Sequence, residues 1–214
     1  DIGQTLEGTK YWLFIDTPEV IGKRKVEVEL AKKQGIKIIS LFYDVSRFPF
    51  VDTLVANNII DMFILFDKKY QYRFPVPTYI SDFYLSEIHF PSLNKSRNGK
   101  QCYFGHKLYG RVLPTECDHI KGNTLNDVYR SASTYTKGYV TSEGKGERGG
   151  VVYQNKAKYL EMLFCGLQVD CQNGIETINY EQYKNKEISD NDLTKLYLIN
   201  NKVRHGILEQ IINL

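Results

Sequence analysis

The sequence predicts an α/β protein built on parallel sheets and organised in two successive halves. Three observations point there. Short runs of apolar, branched and aromatic residues alternate with helical periodicity over the first ninety residues. The alternation restarts beyond residue 100, and proline-rich and polar segments separate the two series. Strand–helix alternation is the mark of a parallel sheet. The 214 residues suit one large domain or two small ones. A hydrophobic share of 42% with a formal charge of +3 belongs to a chain that buries a core, not to a disordered one. No apolar run is long enough to cross a membrane.

In the first half, Tyr11-Trp12-Leu13-Phe14-Ile15 reads as a buried strand that stops at Asp16-Thr17-Pro18. A helix is expected from Lys23 to Gln34, with Val26, Leu30 and Ala31 on one face and Gly35 ending it. Ile36 to Tyr43 is apolar throughout, as in a strand covered on both faces, and turns out at Asp44-Val45-Ser46. Phe50 to Ile60 suits a helix, and Met62 to Phe66 a third strand ending at Asp67. Ligands of parallel sheets bind at the carboxyl ends of the strands. Asp16, Thr17, Asp44 and Asp67 lie at three such ends.

The segments 73–77 and 91–100 then read as loops, which places the boundary near residue 90 and the two domains at 1–90 and 91–214. The second half offers a strand at Gln101 to Phe104, a helix at Leu125 to Ala132 and a strand at Thr134 to Val140. A glycine-rich stretch from Gly144 to Gly150 follows, then a helix from Lys156 to Phe164, a strand at Leu167 to Cys171 and a final helix from Asp190 to Leu214.

Residues 1–88 hold 11 Lys+Arg and 12 Asp+Glu, and residues 89–214 hold 17 and 13, so the positive excess lies in the second half. The chain starts at Asp1 with no basic-then-apolar leader, which reads as no signal peptide. Cys102, Cys117, Cys165 and Cys171 form no CxxC pair and no disulfide framework, so a reducing cytoplasm is the expected compartment. Cys117 and His119 are two potential metal ligands without a matching pair, so no metal is expected.

The strongest chemical signal runs from Lys156 to Val169, preceded by Ser142-Glu143-Gly144-Lys145-Gly146-Glu147-Arg148-Gly149-Gly150. Glycines free backbone N–H groups to face an anion, and a following helix N-terminus adds a favourable dipole. Lys156 and Lys158 in the first turn suit a diphosphate, and Glu161, a turn later, suits two vicinal ribose hydroxyls. The plain alternative is a surface loop followed by an ordinary amphipathic helix.

This stretch resembles the donor-binding helix of GT-B glycosyltransferases, whose pattern is K/R-x-x-E-x-L-A-C-G-x-P-V. Lys158-Tyr159-Leu160-Glu161 and Phe164-Cys165-Gly166 match, and Gln168 stands where proline is usual. Gln101 to Gly105 with Arg111 resembles the family's strand, Phe-Gly turn and arginine, and Gly122 to Ala132 resembles its G-x-L…Y-x-x-A helix. The final segment around Val203-Arg204-His205 is similar to the family's end, and the spore-coat and phage-type members are nearest in pattern. The resemblance covers residues 60–214. It implies two Rossmann-like domains facing a cleft, the N-terminal one shortened, since three strands precede residue 70.

The resemblance further implies transfer of a hexosyl group from a nucleotide-sugar, a UDP-sugar, with no tightly bound cofactor. Glu161 would bind the donor ribose, and Lys156, Lys158 and Arg111 would neutralise the diphosphate. Gly105 would let the backbone approach, and Glu147 and Arg148 complete the donor set. The family's second acid stands in E-x7-E, whereas Glu147 is fourteen residues before Glu161. Asp16, Asp44 and His106 are the catalytic candidates, a carboxylate or His being needed to take the acceptor's proton. Helix capping is the alternative role for the two aspartates. The acceptor is open among a hydroxymethylated DNA base, a polysaccharide, a lipid carrier and a protein, with no membrane insertion.

Two other readings compete. Phe14 to Ile39 also resembles a TIR or nucleoside-deoxyribosyltransferase core, in which Glu27 or Glu29 would be catalytic. A catalytically silent nucleotide-sugar-binding module is the other.

Overall fold

The structure, a computed structural model, describes residues 8–15, 18–42, 48–85, 96–104, 114–140, 156–171 and 177–214. The fold is α/β with two parallel four-stranded sheets, compatible with two Rossmann-like halves. The chain divides into two compact units, residues 1–81 with 205–214, and residues 82–204. Among the described residues no helix is long and apolar enough to cross a membrane.

The first unit contains β1 (Tyr11–Ile15), α1 (Pro18–Lys23), α2 (Lys25–Lys33), β2 (Lys37–Phe42), α3 (Phe48–Ala56), β3 (Met62–Leu65), a 3-10 turn at Lys68–Tyr70 and β4 (Thr78–Ile80). The strands lie in the order β1-β2-β3-β4, all parallel, with Leu13 opposite Ile39 and Leu41 opposite Ile64. The neighbours Ile38 and Ile39, like Phe63 and Ile64, point to opposite faces, and all four are fully buried. The sheet is therefore covered on both sides, which is why β2 and β3 read as unbroken apolar runs. On one face Phe14, Ile38 and Phe63 pack with Ile21, Val28, Ala31, Val51 and Leu54 from the helices.

Asp61 locks the start of the two central strands. Its carboxylate accepts from the Ile38 amide at 2.7 Å and from Lys32 Nζ at 2.9 Å. The Lys32 ammonium also donates to the Ile59 carbonyl at 3.2 Å. At the opposite end of the sequence, the Tyr11 hydroxyl donates to the Ile212 carbonyl at 2.9 Å.

The helix expected from Lys23 to Gln34 is α2, which starts at Lys25 and is closed by Gly35 with φ +78°; α1, which ends at Lys23, was not expected. Val28 and Ala31 form the buried face of α2, whereas Val26 and Leu30 are exposed. The expected grouping of Val26 and Leu30 with the core is thus corrected. The helix expected from Phe50 to Ile60 is α3, shifted two residues toward the N-terminus and ended before Asn58, which has φ 54°.

The second unit contains β5 (Gln101–Phe104), β6 (Cys117–Ile120), α4 (Leu125–Ala132), β7 (Lys137–Val140), α5 (Lys156–Phe164), β8 (Gln168–Cys171), a 3-10 turn at Glu181–Tyr183 and the start of α6 (Asp190–Ile212). Its strands lie in the order β6-β5-β7-β8, again all parallel. Thr124 starts α4 with a capping box: its hydroxyl accepts from the Asp127 amide, and Asp127 accepts from the Thr124 amide. Gly166, at φ +77°, ends α5.

Buried polar groups tie the margins of this unit together. Asp82 is 1% exposed and accepts from the amides of Ile178 and Asn179 and from Asn179 Nδ2. The amide of Asn200, on α6, clasps Leu85 by donating to its carbonyl and accepting from its N–H. At the start of α6, Asp192 accepts from the Ser189 hydroxyl and amide and from Lys186 Nζ at 2.6 Å.

Two predictions follow from these ties. Asp61→Ala leaves the Ile38 amide and the Lys32 ammonium without this acceptor, and is expected to cost about 1–3 kcal/mol in urea unfolding. Hydrogen bonds from Lys186 and then Ser189 pull the Asp192 carboxyl down from its ordinary 3.8 to about 2. Its stabilisation is present above the unfolded value near 4 and is lost as pH falls toward 2. Asp192→Asn is therefore expected to be about 2 kcal/mol less stable at pH 6. The gap should narrow as pH falls below 4 and close only as it falls through 2, read as converging urea midpoints.

Candidate functional site

In the second sheet β5 is flanked by β6 on one side and β7 on the other, so the chain order reverses between β5 and β7. In open parallel sheets the crevice at the carboxyl ends of such strands is where ligands bind. Those ends are Phe104 and Val140.

Helix α5 brings its polar side chains to this edge. Lys158 and Glu161 are three residues apart and so share a side of the helix. Lys158 Nζ lies 2.5 Å from Glu161 Oε2 and 4.9 Å from the centroid of the Phe104 ring. The side chains are 21% and 14% exposed respectively, open to a ligand yet largely shielded from bulk water. From α4, Tyr129 stands near enough to Glu161 for the carboxylate charge to act on its hydroxyl. The Tyr129 ring meets the Phe104 ring edge-on at 5.9 Å. Burial first, and the Glu161 charge second, push the Tyr129 hydroxyl well above its usual value of 10, so it remains a donor at neutral pH.

Phe104, Lys158, Glu161 and Tyr129 thus form one connected cluster. A carboxylate held in a fixed direction can accept from hydroxyls, and an ammonium beside it can neutralise an anion. The expectation named Lys158 and Glu161 as donor-binding, and the structure brings them together. Tyr129 and Phe104 were absent from the expected set. The available signal for Tyr129 was a tyrosine on the buried face of a capped helix.

The remaining candidates are placed only by sequence. Gly105, His106, Arg111, Glu147, Arg148, Asp16 and Asp44 lie outside the described residues. Gly105 and His106 directly follow Phe104 in the chain, and Glu147 and Arg148 belong to the segment joining Val140 to α5. Lys156 opens α5, and its side chain lies outside the described set. Asp67, at the end of the third strand, caps the 3-10 turn by accepting from the Lys69 amide at 3.1 Å and pairs with Lys69 Nζ. Glu27 and Glu29 both sit on α2, where Glu29 is exposed and stands 3.8 Å from Lys25.

Among the described residues no three His, Cys, Asp or Glu side chains gather to hold a metal ion. Cys117 and His119 share a face of β6, where the His119 ring lies 5.4 Å from that of Tyr103. A cavity of about 490 Å³ lies at the other, amino-terminal edge of this sheet, lined by Lys100, Gln101, Glu116, Asp118 and Lys137 among others. None of the sequence candidates belongs to it.

The thiols near this sheet are protected. Burial pushes Cys102 and Cys165 far above their usual 9, and burial and then Asp118 raise Cys117 to about 11. Thiolate is the reactive form. Brief iodoacetamide treatment of the native protein at pH 7.5 is expected to leave Cys102 and Cys165 unmodified and to label Cys117 only slowly. Peptide mapping by mass spectrometry checks this, and labelling of both buried thiols should appear once urea unfolds the chain.

No protein-family model matches the chain, and no curated protein matches it.

Proposed function

We propose that the chain is a nucleotide-sugar-dependent glycosyltransferase of GT-B type, moving a sugar from a UDP-sugar to an acceptor hydroxyl. The observation that carries the reading is the Lys158–Glu161 pair on the first turns of α5, beside the carboxyl end of β5 where the strand order reverses. The sequence around it, Lys158 to Gly166 after a glycine-rich stretch, supports the same reading from the residue types alone.

In this reading Glu161 accepts hydrogen bonds from the donor ribose. Lys158, with Lys156, Arg111 and Arg148, neutralises the diphosphate. The free N–H groups at the start of α5 favour the same anion. Stabilising the charge that develops on the diphosphate as the sugar departs is the main catalytic contribution. Gly105 leaves room for the donor, and Glu147 lies on the sugar side. Asp16, Asp44 or His106 takes the proton of the acceptor hydroxyl. The acceptor class is a polymer or a lipid carrier bearing hydroxyls, with modified DNA one member.

The test is a thermal-shift panel of UDP-, GDP- and dTDP-sugars. At a hundredfold excess over Kd a true ligand stabilises by about 2.7 kcal/mol, several degrees in Tm. UDP-sugars are expected to give that shift, and Glu161→Ala to abolish it. A panel without any shift, or a Glu161→Ala variant that responds as the wild type does, overturns the reading. Binding without hydrolysis or transfer identifies a silent binding module instead. A steep fall of acceptor affinity with salt marks DNA as the acceptor.

A further inference from the structure

We infer that the connection from β3 to β4 in the first unit binds a single-stranded polynucleotide: Tyr72 stacks on a base, and Lys68, Lys69 and Arg73 hold the phosphates. The inference goes beyond the proposed function. It stands on the first unit alone and holds whether or not the second unit binds a nucleotide-sugar.

β3 and β4 are parallel neighbours, so the connection begins at the carboxyl edge of the first sheet, just past Leu65. That edge is where open parallel sheets meet their ligands. The stretch Lys68-Lys69-Tyr70-Gln71-Tyr72-Arg73-Phe74 interleaves cations with aromatic rings. Its three cations face two acids, Asp67 before the stretch and Asp52 from α3. Residues 1–88 as a whole hold 11 Lys+Arg and 12 Asp+Glu, so this positive excess is local to the connection. A neutral polysaccharide gives such a group of cations no counter-charge, whereas a phosphate backbone gives one at every nucleotide.

The side chains of the stretch divide between anchoring and display. Tyr70 and Phe74 both meet the Phe48 ring edge-on, at 4.8 and 5.4 Å, and fasten the connection to the core. Tyr72, between them, is 90% exposed. It adds nothing to the core, and its ring is open for a base to stack on. Phe50, on the first turn of α3, is a second exposed ring. Arg73 is held in place before any ligand arrives. Its guanidinium lies 5.4 Å from the centroid of Phe48 and 5.0 Å from that of Phe74, and Nη2 donates to Asp52 at 2.6 Å. A guanidinium has five N–H donors, and one carboxylate occupies two at most. Asp52 therefore orients the fork and leaves donors for a phosphate. Lys69 is aligned in the same way, 3.1 Å from Asp67 and 4.8 Å from the centroid of Tyr70, with its side chain largely exposed. Lys68 beside it is exposed too.

Fluorescence anisotropy of short labelled oligo(dT) and oligo(U), titrated with the full chain, tests this. Both are expected to bind more tightly than a duplex of the same length, with affinity falling as salt rises. Tyr72→Ala is expected to weaken binding about tenfold and to leave the salt dependence unchanged, since stacking carries no charge. Lys68→Ala with Lys69→Ala is expected to lower the slope of log affinity against log salt by about 1. All three side chains are exposed, so melting temperatures should match the wild type and the losses report binding alone. Wild-type affinity in Tyr72→Ala overturns the stacking role, and an unchanged salt slope in the double lysine variant overturns the phosphate role. No binding of either oligonucleotide, a preference for the duplex, or tighter binding of dextran or of anionic lipid vesicles overturns the inference as a whole.

Discussion

Gly138, within β7, lies directly against Met162 of α5. A methyl group there would stand 2.7 Å from Met162 Sδ and 3.1 Å from Leu167 Cδ1. Glycine weakens a strand, since it loses more backbone freedom on folding than any other residue. Its presence lets the helix lie directly on the sheet, with Met162, Leu163 and Phe164 fully buried. Glu161 immediately precedes Met162. The depth at which Met162 seats therefore sets the height of Glu161 above the carboxyl edge of β5. The Lys158–Phe104 contact depends on that height. Close packing transmits such a shift rather than absorbing it.

Around this seat the unit is held by buried polar groups as much as by apolar ones. Asp82 and Asn200 each satisfy backbone groups of a segment that has no strand partner of its own. Removing either would leave several buried donors or acceptors unpaired, which is costlier than the bonds themselves are favourable. The arrangement also encloses Tyr180, whose hydroxyl is raised well above 10 by burial, with the Asp82 charge second. These contacts lie far along the chain from one another, so their cost in loop closure is met by the burial that accompanies them.

Much of this was legible in the residues. β1, β5, α4 and α5 stand where their apolar runs, caps and glycines put them, because local signals there agree with burial. β4 and β6 were not legible. Both are strands of only three and four residues, too short for a periodic or apolar run to stand out. β4 also follows Pro77 in a proline-rich stretch that reads as loop. The break at Arg24 follows Gly22, a glycine that stands inside α1 rather than past its end. Of the site, the spacing of Lys158 and Glu161 was readable because both lie on one helix. The contributions of Phe104 and Tyr129 arise from sheet order, and strand order is not written in the periodicity of any single segment.

The first unit is discontinuous: it takes its strands from residues 1–81 and its last piece from residues 205–214, joined across the Tyr11–Ile212 hydrogen bond. The second unit lies wholly between these pieces. A ribosome delivers the chain in order, so the first unit emerges early and stays incomplete until the end of α6 has been made. The second unit has every strand of its sheet available before that moment. Domains generally fold as they emerge, N-terminal first. Here the order of completion is inverted: the first unit has its whole sheet early but receives its last piece only after the second unit has been made.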